Sequence, residues 1–335
     1  QIDPFAPREL LQRLQLAPPA GSDPQAPRKA QGAGEFVLTS TSAQLRKLQL
    51  HIDDSVVTGG VDVDDFSRPS TRFQLAVDKL DLDRYLPPRR PQDANTADAP
   101  RAGGDGSAAA DKATQAPPLL PVETLRRLRI NGTLHVGQLK AYQIRSNAVA
   151  VTAVAENGLM RLAPARARLY DGGYDGNIRI DVRGTQPQFA LDERLSGVQI
   201  GALLKDMQGE ARVTGKADVA LTLTAEGDRI PALRQSLNGT ARFALADGVV
   251  KGMDVLGEIR KAYAVLRGKA PPQVTDATEF SAVSGTATIA AGVVNNPDLQ
   301  GRSPLLQLQG AGSANLVTDA LDYRLTATLV DVLEG

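Results

Sequence analysis

Several residue types on which protein chemistry commonly depends are absent or rare in this sequence. The 335 residues contain no Cys, no Trp and only two His. The absence of Cys excludes disulfides, thiolate zinc sites and cysteine catalysis, and two His residues leave little room for imidazole chemistry. His51 and His135 are far apart in the chain and form no pair at metal-ligand spacing. The sequence therefore predicts a non-enzymatic protein with no catalytic residue, no metal site and no cofactor.

An excess of charge of one sign and long apolar runs are also missing. The 38 Lys and Arg residues balance 38 Asp and Glu residues, and aromatic residues make up only 4% of the chain. Nucleic-acid binding is therefore not expected, because it typically uses basic patches with interleaved aromatic side chains. No stretch approaches the ~20 apolar residues of a membrane-spanning helix. The chain also begins at Gln1 without a signal-peptide pattern, so we expect any membrane anchor to lie outside it.

A segment of low complexity divides the chain. Residues 87–121 are rich in Pro, Ala and Gly and contain hardly any apolar residue larger than Ala before Leu119. This composition predicts a disordered linker between residues 1–86 and residues 122–335. We interpret the linker as a tolerated surface insertion, and a disordered binding arm is the alternative.

Elsewhere, apolar and polar residues alternate with a period of two. Phe73, Leu75 and Val77 alternate with polar neighbours around Ala76, and Ile178 and Ile180 do so farther along the chain. This period indicates half-buried β-strands with one face in water. Turn signals between the strands predict hairpins and hence a mainly antiparallel sheet: Asn157-Gly158, Asp171-Gly172-Gly173, Glu226-Gly227-Asp228, Asp247-Gly248 and Ala291-Gly292.

Six strand segments share a pattern of apolar, polar, Gly, any residue, apolar, polar or charged, apolar. In an unbroken strand, each Gly lies on the apolar face, since it has the same parity as the apolar residues. Missing side chains there would let the sheet bend toward that face, which predicts a long, curved, groove-shaped or taco-like antiparallel sheet. The alternative places Asn131-Gly132 and Asn238-Gly239 in hairpin turns. The proposed curvature glycines are Gly59, Gly132, Gly176, Gly215, Gly239 and Gly285.

The predicted helices are few and short, and they cap the sheet. They are Pro7–Leu16, Val122–Leu128, Ile200–Asp206 and Ile230–Ser236, together with one longer helix at Gly252–Arg267. The longer helix carries an apolar stripe flanked by basic residues. We interpret it as a cap on one end of the sheet, and contact with a membrane or a partner is the alternative.

Few helices are available to cover the apolar face of the sheet. Either a second sheet layer fills that face, as in a sandwich, or an apolar ligand does. Lipid acyl chains suit such a face because their burial is non-directional and contributes ~0.8 kcal/mol per CH₂ group. For the second alternative we predict that the groove is lined by Val61, Val63, Leu75, Val77, Ile178, Ile180, Leu221, Leu223, Leu306, Leu308 and Leu325.

Short motifs along nearly the whole chain resemble those of the AsmA family of Gram-negative envelope proteins. Each motif is loose alone, but the set is fairly specific and occurs in the family's order, with its low-complexity linker in place. The motifs are Phe5-Ala-Pro-Arg-Glu-Leu-Leu, the stretch 45–88 ending Leu80-Asp-Leu-Asp-Arg-Tyr-Leu-Pro-Pro88, Leu125-Arg-Arg-Leu-Arg-Ile-Asn-Gly132, Leu169-Tyr-Asp-Gly-Gly173, Ser236-Leu-Asn-Gly239 with Asp247-Gly248, and Leu321-Asp-Tyr-Arg-Leu325.

The resemblance implies a periplasmic protein anchored in the inner membrane by an N-terminal helix that this chain lacks. The family is similar to TamB-like and bridge-like lipid transfer proteins, so residues 1–86 and 122–335 are expected to belong to hydrophobic β-groove regions. The implied ligand is phospholipid, and the implied role is inner-to-outer membrane lipid transport and outer-membrane homeostasis, with membrane proteins of the envelope as further partners. The alternative is a non-enzymatic scaffold that affects outer-membrane protein assembly or lipopolysaccharide levels. The chain also ends at Gly335, short of the family's usual C-terminal end.

Overall fold

The computed structural model of the protein describes residues 2–9, 22–23, 25–86, 119–252, 257, 277–304 and 306–330. Three sequence predictions fall largely outside these residues. They are the linker 87–121, the helix Gly252–Arg267 and the C-terminal part of the helix Pro7–Leu16.

The described residues form a mainly β structure, as predicted. Its strands lie in chain order and each is hydrogen-bonded to the next, so the sheet is open, with β1 and β16 at its ends. The strands are β1 (Ile2–Phe5), β2 (Ala30–Leu38), β3 (Ala43–Ile52), β4 (Ser55–Asp64), β5 (Ser70–Asp81), β6 (Ile130–Ala141), β7 (Ile144–Glu156), β8 (Leu159–Leu169), β9 (Gly172–Asp181), β10 (Gln188–Gln199), β11 (Val213–Glu226), β12 (Asn238–Lys251), β13 (Ala277–Ala290), β14 (Val293–Arg302), β15 (Leu306–Asn315) and β16 (Ala320–Leu329).

Two units are distinguished by their internal contacts. The first contains Gln1–Leu169 and Asp175–Phe189, and the second contains Tyr170–Tyr174 and Ala190–Gly335. Strand β9 contributes residues to both units. The sequence did not indicate this division, because nothing in the composition changes near residue 170.

One strand pair departs from the predicted antiparallel arrangement. Strands β5 and β6 are parallel, with Leu75 opposite Leu134 and Val77 opposite Val136. A parallel pair needs a crossover connection of a dozen or more residues, and the chain between Asp81 and Ile130 is long enough to provide one. The strands on the two sides of the predicted linker are therefore neighbours within the first unit.

The predicted hairpin turns are found at some positions and not at others. Asn157-Gly158 joins β7 to β8, and Ala291-Gly292 joins β13 to β14. The turn predicted at Asp247-Gly248 is wrong, because both residues lie inside β12. The register between β11 and β12 shifts there, and Asp247 has a φ of 49°, so this dipeptide forms a β-bulge. Glu226-Gly227-Asp228 leads into a helix instead of a second strand.

All six glycines of the repeated pattern lie within strands, and the alternative that Asn131-Gly132 and Asn238-Gly239 are turns is wrong. At Gly132 a Cβ atom would lie 2.4 Å from the carbonyl oxygen of Phe73 in the neighbouring strand. At Gly239, where φ is +148°, it would lie 2.0 Å from the carbonyl oxygen of Thr222. At these two positions, the absence of a side chain lets the neighbouring backbone approach closely.

The short helices begin where the sequence predicts them. They are α1 (Val122–Arg127), α2 (Ile200–Gln208) and α3 (Ile230–Ser236), and a 3₁₀ turn occupies Leu82–Arg84. Helix α2 extends two residues beyond its predicted end, because its stop signal is Gly209 in the left-handed conformation. Helices α2 and α3 both contact β11, and Leu203 of α2 is buried.

Candidate functional site

An apolar face runs across neighbouring strands of the first unit. Val61 of β4 lies opposite Phe73 of β5, and Leu75 of β5 lies opposite Leu134 of β6. Val77, Val136 and Val149 form a buried cluster on this face. Outside that cluster, most of the large apolar side chains on β4 and β5 are only half-buried.

The second unit has an apolar face of the same kind. Across β11, β12 and β13, Leu221 lies opposite Ala241, which in turn lies opposite Ala287. Two residues farther along each strand, on the same face, Leu223 lies opposite Gly239, and Gly239 lies opposite Ile289. Residues on the other face of β11 and β12, such as Thr222, are exposed. The strands therefore separate an apolar face from a polar one, as the period of two predicts.

The predicted groove-lining residues differ in how far they are buried. Those that are half-buried are Val61, Val63, Leu75, Ile178, Ile180, Leu221 and Leu223. Val77, Leu306 and Leu308 are buried, and Leu325 is 47% exposed. The structure brings the four residues of β4 and β5 onto one face of adjacent strands, and it brings Leu306, Leu308 and Leu325 together on β15 and β16. The remaining predicted residues lie on β9 in the first unit and on β11 in the second.

No second layer covers these faces among the described residues. Within each unit, the strands make their main contacts with the strands beside them in the sheet and with the short helices. A large apolar side chain in a sandwich core would be almost fully buried, whereas most of those on β11, β12 and β13 keep part of their surface accessible. The sandwich alternative is therefore not supported within either unit.

A buried carboxyl group interrupts the apolar face of the second unit. Glu193 lies in β10 between Leu191 and Leu195, on the same face as both. Its two carboxyl oxygens are buried, and neither has a hydrogen-bond partner in the described part of the chain. Burial raises the pKa of Glu193, and the nearby Tyr174 hydroxyl only partly opposes this effect. Glu193 was not among the predicted site residues, although the alternation around Leu191 and Leu195 assigns it to the apolar face.

Replacing Glu193 by Leu should stabilise the protein near neutral pH. An unpartnered buried polar group costs about 1–3 kcal/mol, so the free energy of unfolding should rise by an amount in that range. The raised pKa means that the folded protein binds this proton more tightly than the unfolded chain does. The contribution of Glu193 to stability is thus most favourable below its ordinary pKa and is lost as the pH rises.

Urea unfolding followed by circular dichroism at about pH 4 and about pH 7.5 measures this difference. The free energy of unfolding of Glu193→Leu should exceed that of the wild type by more at the higher pH than at the lower pH. Glu193→Gln, which removes the charge and keeps the shape, is the control. Its free energy of unfolding should lie between those of the wild type and Glu193→Leu. A Leu variant that is less stable than the wild type at both pH values would contradict the prediction.

Neither a membrane-spanning helix nor a cluster of metal-binding side chains is found in the described part of the chain. No helix there is long and apolar enough to cross a membrane. The described residues also include no group of three or more His, Asp or Glu side chains that could hold a metal ion.

The fold and its faces define an open, mainly antiparallel β-sheet protein with incompletely covered apolar side chains. The family model of the AsmA family matches residues 15–299, so the chain belongs to the AsmA family. The resemblance drawn from the sequence motifs is thereby confirmed. The chain is 25% identical over 324 residues to Protein AsmA of Escherichia coli strain K12, which covers 91% of this chain and 50% of the relative. It therefore spans about half the length of that relative. No solved structure matches the chain.

Proposed function

We propose that the half-buried apolar side chains of the sheet bind the acyl chains of phospholipids. The observation that carries this proposal is the incomplete burial of large apolar residues on one face of successive strands, as at Leu221 and Leu223. Accessible apolar side chains that follow one another across successive strands are typical of an interaction site. An acyl chain would contribute ~0.8 kcal/mol for each CH₂ group it buries there.

The proposed site consists of the residues that retain accessible surface. In the first unit these are Val61, Val63, Leu75, Ile178 and Ile180, and in the second unit they are Leu221, Leu223 and Leu325. The buried Leu306 and Leu308 pack against Phe280 and are part of the protein core. No polar group at a fixed position is needed, since the burial of an acyl chain has no directional requirement.

Membership of the AsmA family supports a function in the cell envelope. We place the protein in the periplasm, with an inner-membrane anchor outside this chain, and we propose that it supports lipid transport from the inner to the outer membrane. A non-enzymatic envelope scaffold that acts through protein partners is the competing function. The two are distinguished by whether the apolar face holds lipid.

Replacing Leu223 by Asp should remove bound lipid from the second unit. A carboxylate on this face would have to lose its hydration when an acyl chain binds, so lipid occupancy should fall by about tenfold, which corresponds to about 1.4 kcal/mol. Native mass spectrometry with lipid extraction, on protein from a Gram-negative host, measures the occupancy. Thr222→Asp is the matched control, because it adds the same charge to the adjacent exposed position on the other face.

Three results would contradict the proposal. One is a folded wild-type protein that is free of lipid and takes up no fluorescent acyl probe. The second is an equal loss of lipid in Leu223→Asp and Thr222→Asp. The third is a loss of lipid only in proportion to a loss of fold, measured by thermal denaturation. The first result would favour the scaffold function.

A further inference from the structure

The second unit carries a pocket of about 520 Å³ that is lined mainly by residues of its polar face. Its lining comes from β10, β11, β12, β13 and β14, and it includes Arg194, Asp218, Ala220, Arg242, Ser284 and Asp298. We call this site the arginine pocket. Its volume lies within the range of about 300–1,000 Å³ that is typical of small-molecule sites.

Two arginines provide the positive charge of the arginine pocket. Arg242 lies directly opposite Ala220 in the register of β11 and β12, so a small side chain leaves space beside its guanidinium group. Arg194 and Arg242 are both exposed, and within the described residues no hydrogen bond or salt bridge engages either guanidinium group, although the charge of Arg242 acts on the nearby Asp298 carboxylate. A guanidinium group presents a planar set of donors that matches the oxygens of phosphate and carboxylate. Both groups are therefore available to a ligand.

The two acidic residues of the pocket are already engaged by the protein. Asp298 accepts hydrogen bonds from the Thr286 backbone N–H at 2.7 Å and from the Thr286 hydroxyl at 2.8 Å. These bonds lower the pKa of Asp298, with a smaller effect from the charge of Arg242. Asp218 accepts a hydrogen bond of 2.9 Å from the Gly197 backbone N–H. The acidic side chains thus hold strands and turns in place.

A β-bulge forms one wall of the arginine pocket. The register of β13 and β14 shifts between Ser284 and Thr288, and Asp298 takes the Thr286 N–H that the shift leaves outside the ladder. The buried Asn296 donates hydrogen bonds to the Thr286 carbonyl oxygen at 2.5 Å and to Asp298 Oδ1 at 3.1 Å, and it accepts one from the Tyr323 hydroxyl. Bulges often lie beside binding sites because they redirect side chains. A connected set of hydrogen bonds therefore holds this wall.

We propose that the arginine pocket binds a small polar ligand that carries a phosphate group, through Arg194 and Arg242. This binding is separate from the proposed acyl-chain binding, because it uses the opposite face of the sheet. The same phosphate chemistry is found in free phosphate esters and in phospholipid headgroups. Free phosphates and lipid vesicles therefore serve as separate probes of the pocket.

Isothermal titration calorimetry of the full chain with inorganic pyrophosphate and with glycerol 3-phosphate tests the proposal for free phosphates. At least one of the two should bind with a Kd of about 1 mM or tighter. Arg194→Gln and Arg242→Gln should each weaken binding by about tenfold, since each removes a charge-assisted hydrogen-bonding group. The binding should also weaken as salt is raised. Arg161→Gln is the control, because Arg161 is an exposed arginine on β8 outside the pocket.

Sedimentation with vesicles of phosphatidylglycerol or phosphatidylcholine tests the headgroup as the source. Binding to either vesicle that is lost in both pocket variants, with no binding of the free phosphates, would support the proposal with a lipid headgroup as ligand. The proposal is wrong if the wild type binds none of the four probes. It is also wrong if the pocket variants bind every probe as well as Arg161→Gln does. Neither result would affect acyl-chain binding, which Leu223→Asp tests on the other face.

Discussion

Replacing Gly239 by Val is expected to lower the free energy of unfolding by about 3 kcal/mol or more, because two costs combine at this position. The backbone φ of +148° is one that side chains rarely adopt. A Cβ atom would also lie 2.0 Å from the carbonyl oxygen of Thr222, a backbone atom that cannot move away without breaking strand pairing. The loss should appear in urea unfolding followed by circular dichroism, or as a failure to accumulate folded protein.

Gly173→Val provides the matched control for this variant. Gly173 also lies in a strand, but a Cβ atom there would meet nothing within 4 Å. Valine favours strands, so this change should alter the free energy of unfolding by less than about 1 kcal/mol. If Gly239→Val were as stable as Gly173→Val, the close approach of β11 to β12 at Gly239 would not be required for folding.

Replacing Leu306 by Ala is expected to have an effect of similar size through a different cause. Leu306 is 0% exposed and belongs to a buried cluster with Phe280 and Leu308. Removing a fully buried leucine side chain leaves a cavity and costs about 2–5 kcal/mol. The same unfolding measurement reports this loss, and the wild-type m-value should be retained because the fold is unchanged.

Leu325→Ala is the control for this second prediction. Leu325 lies in the neighbouring strand β16, opposite Gly310, and is 47% exposed. Its truncation should cost less than about 1 kcal/mol, since much of the side chain already contacts water. Equal losses at Leu306 and Leu325 would contradict the distinction between core residues and accessible apolar residues on which the proposed lipid site depends.

Much of the fold could be predicted because β-strand signals are local. The period of two identified strands and their faces, as at Ile178 and Ile180, because adjacent side chains of a strand point to opposite sides. The repeated glycine pattern also placed Gly132 and Gly239 inside strands, against a strong local turn signal, because parity added information that the Asn-Gly dipeptide lacks. The family followed from motifs spread along the chain, since each motif adds evidence to the others.

Other features depend on contacts between distant parts of the chain. Leu306 and Leu223 both look like apolar strand residues, yet one is buried and the other is half-buried, because burial depends on what packs above the strand. Asp247-Gly248 has the residues of a turn but forms a bulge, because its conformation is set by pairing with β11. Local pattern alone does not contain this information.

The sequence by itself determined the mainly β class, the two faces of each strand, the in-strand glycines and membership of the AsmA family. Tertiary structure alone decided the parallel pairing of β5 with β6, the burial of the Glu193 carboxyl group and the arginine pocket. The physical reason is the range of the interactions involved. Alternation and turn chemistry act over a few residues, whereas strand register, burial and the placement of Arg194 and Arg242 in one pocket depend on residues that are far apart in the chain.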